Sequence, residues 1–273
     1  MAETVLALLT PDGPQLVDPA VPIVRAHDLG LLRGESVFET ARIAGGRPAY
    51  LDAHLARLAR SAARVAIELP AGWEALARKA VEASGAADGV LRLVCTKGGV
   101  GFALVTPVPA ETIRGREHGV RAITVTLGVT AAVRSEAPWL LGGVKSTSYA
   151  VNMATLRHAA DEGADDAIWI SSDGFVLEAP TSTVAWVRGG VLVTPAAEVG
   201  ILPGTTLDVA LGLCEVPYEV RRGTVDELRS ADEVLMLSSV RGVAPVVALD
   251  GRELGTGPVT AGLRAAFEAA LLR

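Results

Sequence analysis

Lys145 stands in Gly142-Gly143-Val144-Lys145-Ser146-Thr147-Ser148-Tyr149, between a glycine pair and a run of small, hydroxyl-rich residues, with no acidic neighbour in sequence. Burial disfavours the charged form of an ammonium, which is how a lysine becomes a nucleophile or a proton carrier near neutral pH. Glu178 ends the apolar run Phe175-Val176-Leu177, an expensive place for a carboxylate unless a cation meets it. Gly204-Thr205-Thr206 follows Pro203 and opens a helical pattern, so its N–H groups and positive dipole end offer a cradle for phosphate. Ser238-Ser239 adds two hydroxyls on a strand-to-strand loop that could bind the same anion. Taken singly, each has a plainer reading: a solvated loop lysine, a solvated strand-end carboxylate, an ordinary helix cap and a turn. Together they match the needs of pyridoxal phosphate, whose aldehyde requires a lysine, whose ring nitrogen requires a carboxylate and whose phosphate requires donors.

The elements that must position these groups follow from the apolar periodicity. Residues 4–9 read as a strand that turns at Pro11-Asp12-Gly13, and residues 26–35 as a loop with two glycines. Residues 36–43 form a second strand, closed by the hairpin signal Ala44-Gly45-Gly46. Leu51, Leu55, Leu58, Ala62 and Val65 make one helical apolar stripe, which leaves Arg57 on another face. A helix over 73–83 and strands over 90–96 and 102–108 complete the first half. Two prolines and alternating charge then mark residues 109–118 as an inter-domain linker between domains 1–108 and 119–273. The second half predicts strands at 120–129, 166–170, 175–178, 183–187, 191–194, 233–237 and 244–249. Its helices fall at 149–162, from 205 to about 213, and at 259–272.

Composition bounds the function. The chain has 273 residues, enough for one large or two medium domains. Mean hydropathy is +0.37, yet no apolar run approaches the roughly 20 residues of a membrane span. Met1-Ala2-Glu3-Thr4 lacks the positive lead of a secretory signal, so a cytoplasmic protein is expected. A net charge of −6 without a basic run argues against nucleic acid. Cys95 and Cys214 lack metal-ligand spacing and are expected as buried free thiols, with no metal site.

With these residues assembled, the chain resembles the fold-type IV pyridoxal-phosphate enzymes, the class IV aminotransferase family. That family includes branched-chain aminotransferases, D-amino-acid transaminases and 4-amino-4-deoxychorismate lyase. The resemblance is carried by Arg33-Gly34-Glu35-Ser36-Val37-Phe38-Glu39-Thr40-Ala41-Arg42, by His54-Leu55-Ala56-Arg57-Leu58 with Ser61, and by Lys145. It continues in Asp173-Gly174-Phe175-Val176-Leu177-Glu178-Ala179, Leu202-Pro203-Gly204-Thr205-Thr206 and Asp232-Glu233-Val234-Leu235-Met236-Leu237-Ser238-Ser239. Glu178 follows Lys145 by 33 positions, in keeping with the family. The resemblance implies an α/β (α+β) fold: a small N-terminal α/β domain, a larger β-barrel-like C-terminal domain, and the cofactor between them. It makes Lys145 the Schiff-base lysine and Glu178 the partner of the protonated pyridine nitrogen. Arg57, Thr205, Thr206 and Ser239 would grip the phosphate, with Ser238 beside them, and Tyr149 would lie near the phenolic oxygen. It also implies a homodimer in which a loop of the neighbouring subunit closes the site.

The expected reaction is ping-pong transamination, through the Schiff base, between a D-amino acid or (R)-amine and a 2-keto acid. The alternative is the lyase, which releases pyruvate and 4-aminobenzoate. Phe38-Glu39-Thr40-Ala41-Arg42 looks lyase-like, with Thr40 where that enzyme sets a threonine against the cofactor and Phe38 on the substrate side. Thr96-Lys97-Gly98-Gly99-Val100-Gly101-Phe102 carries neither the lyase's arginine-containing stretch nor the Arg-x-His of D-transaminases. Lys97 and Arg241 are then the cations expected to meet the substrate carboxylate. A non-catalytic binding protein on the same scaffold is the third reading; intact Lys145, Glu178 and Arg57 count against it.

Overall fold

The computed structural model describes residues 4–272. Met1-Ala2-Glu3, which carry most of the secretory-lead expectation, and Arg273 lie outside the described residues. The chain divides into two compact units. Unit one takes the chain up to Pro109 together with Val144–Tyr149, and unit two takes Ala110–Gly143 with Ala150–Leu271.

Unit one contains β1 (Val5–Thr10), β2 (Gly13–Val17), α1 (Leu29–Leu32), β3 (Ser36–Ala44), β4 (Arg47–Pro48), α2 (Leu51–Arg64), α3 (Trp73–Ser84), β5 (Asp88–Thr96) and β6 (Gly101–Thr106). Its six strands pair in the order β2-β1-β6-β5-β3-β4, every pair antiparallel. Alternation along β3 sends Val37, Ala41 and Ile43 into the core shared with Leu58 of α2 and Leu76 of α3, and sends Phe38 and Thr40 to the opposite face. The region 26–35, expected as loop, holds the single turn α1, capped by the Asp28 carboxylate, which accepts from the Gly30 N–H. Arg57 departs from expectation. It lies in the buried half of α2 with His54, Leu58 and Ser61, because Glu39 on the core side of β3 receives it.

Val144–Tyr149 completes this sheet along the edge of β3. Val37 and Ser146 form an antiparallel bridge, the Phe38 N–H donates to the Lys145 carbonyl at 3.1 Å, and the Thr147 N–H donates to the Ser36 carbonyl at 3.0 Å. The Lys145 N–H donates to Ser61 Oγ of α2 at 3.1 Å. Gly34 makes room for the segment: its φ is +71°, and a Cβ there would stand 2.5 Å from Ser148 Oγ.

Unit two contains α4 (Ala110–His118), β7 (Val120–Thr126), α5 (Val133–Glu136), α6 (Ala150–Asp161), β8 (Asp166–Ile170), β9 (Thr183–Arg188) and β10 (Val191–Thr194). These are followed by α7 (Thr205–Gly212), β11 (Tyr218–Val220), α8 (Val225–Arg229), β12 (Glu233–Ser238), β13 (Gly242–Leu249), β14 (Arg252–Glu253) and α9 (Pro258–Leu271). The sheet runs β11-β10-β9-β12-β13-β7-β8, with β14 on β13. It is mixed: β10/β11, β13/β7 and β7/β8 are parallel and the other pairs antiparallel. Parallel strands covered on both faces read as continuous apolar runs, and β8 is buried at every position. Trp186, Ile168, Val184, Leu228 and Met236 fill the core.

Two further expectations change. Residues 110–118, read as linker, are helical. Residues 175–178, read as a strand, form isolated bridges, Ile170↔Val176 and Phe175↔Thr224, with paired bonds between Trp169 and Leu177 and Glu178, each 2.9 Å. Both cysteines are free thiols, Cys95 buried and Cys214 half-buried. Among the described residues, no helix is long and apolar enough to cross a membrane.

Candidate active site

The sequence has three lysines. Lys79 Nζ donates to the Pro14 carbonyl at 2.7 Å, and Lys97 Nζ donates to the carbonyls of Val65 and Ala66 just past the C-terminus of α2. A lysine there complements the negative end of the helix dipole. Lys145 differs: its Nζ stands over the Phe38 ring, 4.4 Å from the centroid, a cation–π arrangement. Tyr149 packs edge-on against the same ring at 5.3 Å and 84°. Unit one therefore brings Lys145, Phe38 and Tyr149 together, with half-buried Thr40 on the same face of β3. Lys97, expected at the substrate carboxylate, ties the β5–β6 hairpin to the end of α2.

Behind that face lies a cluster of three buried charged or polar side chains. Arg57 Nε donates to Glu39 Oε1 at 2.7 Å and Arg57 Nη2 to Glu39 Oε2 at 2.8 Å, while His54 Nδ1 meets Oε2 at 2.7 Å. Burial alone would push the Glu39 carboxyl up, but the bonds from Arg57 and His54, with the attraction of their charges, bring it down to about 2. Arg57 is a candidate from the sequence, whereas Glu39 and His54 stand in the same motifs without a local signal of their pairing.

In unit two, Glu178 is half-buried. Its Oε1 accepts from Arg134 Nη1 at 3.1 Å and its Oε2 from the Leu202 N–H at 3.1 Å. Arg134, on α5, supplies the cation that the apolar setting of Glu178 requires. It was missed because the need is legible at position 178 while the residue meeting it lies 44 positions earlier. Gly142 belongs to the same packing, since a Cβ there would stand 2.7 Å from the Arg134 carbonyl oxygen.

The α7 N-terminus begins at Gly204 with no side-chain cap, and Thr205 and Thr206 are buried. A buried helix start without a cap leaves N–H groups in want of an acceptor, which is how such ends come to hold phosphate. Gly204 is enforced by packing: a Cβ would lie 2.4 Å from Thr183 Oγ1. Ser238 closes β12 and Ser239 opens the turn into β13. Two arginines brace that turn. Arg241 Nη1 and Nη2 both donate to the buried Asp166 carboxylate at 3.0 Å, and Arg116 Nε donates to the Val240 carbonyl at 2.9 Å. Arg241, the second cation expected at the substrate carboxylate, is thus committed to Asp166.

Within unit one an amine lies on an aromatic ring, and within unit two a carboxylate has its own cation and a buried helix start is uncapped; each suits one part of pyridoxal phosphate. Residues 36–249 match the model of the class IV amino-transferases. A bifunctional aminodeoxychorismate lyase / D-amino acid transaminase of Mycobacterium tuberculosis is 38% identical, covering 92% of this chain and 94% of its own. A D-alanine aminotransferase of Bacillus licheniformis is 31% identical, covering 94% and 95%. A hypothetical aminotransferase from Mycobacterium tuberculosis superimposes with a TM-score of 0.93 in its PLP-bound form, 35% identical over 98% of this chain and 99% of that one. It has also been solved with alpha-ketoglutarate and PMP, with a TM-score of 0.92. The chain belongs to the class IV aminotransferase family.

Proposed function

We propose that the protein is a pyridoxal-phosphate transaminase that moves an amino group between a D-amino acid, or an (R)-amine, and a 2-keto acid. The observation that carries this reading is the disposition of the three lysines. Lys79 and Lys97 donate to backbone carbonyls, and Lys145 Nζ lies over the Phe38 ring within the segment that extends β3. Relatives named as D-amino-acid transaminases, and a structural neighbour solved with alpha-ketoglutarate, supply the substrate classes.

Bound pyridoxal phosphate supplies an aldehyde that condenses with amines and a ring that withdraws electrons from the adjoining carbon. Lys145 Nζ would hold that aldehyde carbon and, as a free amine, would carry the proton from the substrate Cα to the carbon that receives it. Glu178 would hold the protonated ring nitrogen, and Arg134, bonded to its Oε1, would favour the carboxylate form for that task. The N–H groups of Thr205 and Thr206, the Arg57 guanidinium and the hydroxyls of Ser238 and Ser239 would donate to the phosphate. Phe38 and Thr40 would line the substrate side, and Tyr149, edge-on against Phe38, would lie near the phenolic oxygen.

The test has two parts. Borohydride reduction of the holoprotein followed by peptide mapping should place the phosphopyridoxyl mass on the peptide containing Lys145; a tag on Lys79 or Lys97 would overturn the assignment. Mixing the yellow holoprotein with D-alanine should then convert it to the pyridoxamine absorbance.

A second reading, aminodeoxychorismate lyase, is favoured by the relative named for both activities and by Thr40 beside Phe38. Release of 4-aminobenzoate from aminodeoxychorismate without a D-alanine half-reaction would put the lyase first. We further propose a cytoplasmic homodimer. Leu29, Leu31 and Leu32 of α1 are all exposed, Leu31 by 63%, an apolar cluster that a second subunit would cover. Light scattering that gives a monomer mass would refute the dimer.

A further inference from the structure

We infer that Glu39 and His54, which touch neither substrate nor cofactor in the reading above, are positioning residues for phosphate binding, acting by fixing the Arg57 guanidinium. The inference rests on the proposal that Arg57 grips the phosphate. Glu39, His54 and Arg57 are 1%, 2% and 5% exposed. An ion pair so deep in an apolar core is weak evidence of a stabilising role, because well-packed apolar side chains of the same volume do as well. What the cluster provides is orientation. Glu39 takes Nε and Nη2 of the same guanidinium edge, a bidentate bond that fixes the plane of a side chain otherwise free about several torsions. Glu39 is ionised and can only accept, so His54 Nδ1 must be the donor, and that bond fixes the rotation of the carboxylate itself.

The position of Glu39 gives the clamp its use. It sits on β3 next to Phe38, whose N–H holds the Lys145 carbonyl and whose ring carries the Lys145 amine. One strand therefore sets the placement of both the phosphate cation and the reactive amine. Arg57 is ordered before any ligand arrives, so binding does not have to order it, which is the physical basis of preorganisation.

The experiment compares pyridoxal phosphate with pyridoxal, which lacks the phosphate, by absorbance titration of the full-length chain freed of cofactor. Glu39→Gln and His54→Leu should each weaken pyridoxal phosphate by about ten- to a hundredfold, the range seen when an outer partner of a ligating group is lost. Both should leave pyridoxal affinity nearly unchanged. His54→Asn, whose amide mimics Nδ1–H, should restore most of the loss. Arg57→Met separates the two levels. If it leaves the preference for pyridoxal phosphate over pyridoxal intact, the phosphate role of Arg57 fails. If it abolishes that preference while Glu39→Gln and His54→Leu do not change it, only the positioning role fails. Equal weakening of both ligands by the clamp variants would also overturn the inference, since it would mark them as merely structural. Should Glu39→Gln not fold, the His54→Leu and His54→Asn pair decides alone.

Discussion

At the scale of single residues, charge pairing explains why unusual side chains are tolerated. In its apolar setting Glu178 accepts from the Arg134 guanidinium and from the Leu202 N–H. Removing the arginine leaves a half-buried carboxylate short of its counter-charge, and a charge-assisted hydrogen bond of this kind contributes about 1.5–3 kcal/mol. Arg134→Gln should therefore slow the D-alanine half-reaction on the order of ten- to a hundredfold. Glu178→Gln should slow it more, because an amide cannot stabilise a proton on the ring nitrogen as a carboxylate does. Stopped-flow absorbance on the two variants gives the ranking. An Arg134→Gln protein as fast as the parent would remove Arg134 from the functional set. Lys97 and Arg241 show the converse. Each stands where a sequence reading wants a substrate cation, and each is drawn to an acceptor elsewhere in its own unit, a helix terminus and a buried aspartate.

At the scale of elements, the parts legible in the sequence were those whose signal is local. The partly alternating run of β3, the apolar runs of β5 and β6 and the stripe of α2 are each complete within one element, and they fold where the pattern puts them. α4 was missed because prolines at 107 and 109 and alternating charge imitate a linker, and α1 because a single turn has no periodicity to read. The buried face of α2 was misjudged for another reason: an arginine counts as polar until its partner is known, and Glu39 lies on a different element. The glycine at the start of α7 was legible as a cap but not as a packing requirement. Thr183 of β9 enforces it, at 2.4 Å from where a Cβ would stand. Gly204→Ala should thus behave as an overpacked site, destabilising by about 1–3 kcal/mol and weakening pyridoxal phosphate by displacing the α7 N–H groups. Adding Thr183→Ala removes the opposing hydroxyl and should recover both the thermal midpoint and the affinity. A double variant no better than the single one would mean that the start of α7 is set by something other than this contact.

At the scale of the whole molecule, the proposed site residues are distributed over both units: Lys145, Phe38, Tyr149 and Arg57 in unit one, and Glu178, Thr205, Thr206, Ser238 and Ser239 in unit two. Stability must then be probed in a way that isolates one cluster. Glu39 allows it, because its folded carboxyl lies at about 2 against an ordinary 4.5. A depressed carboxyl contributes stability that is fully present above the unfolded value and is lost as pH falls toward the folded one, since the unfolded chain takes up the proton first. The window is therefore pH 4.5 down to about 2, and the contribution above it is on the order of 3 kcal/mol. Asp28 is also held low: its burial is outweighed by bonds from Thr96 and from the N–H groups of Gly30 and Gly98. It is common to parent and Glu39→Gln and cancels in their difference. Urea unfolding followed by far-ultraviolet circular dichroism should show the parent more stable than Glu39→Gln at pH 6, with the gap closing steadily between pH 4.5 and pH 3 as the parent loses the Glu39 contribution in addition to the loss both proteins share. A gap that stays constant across that range would mean that the Glu39 carboxylate is not held by Arg57 and His54 in the folded chain. The phosphate clamp built on it would lose its foundation.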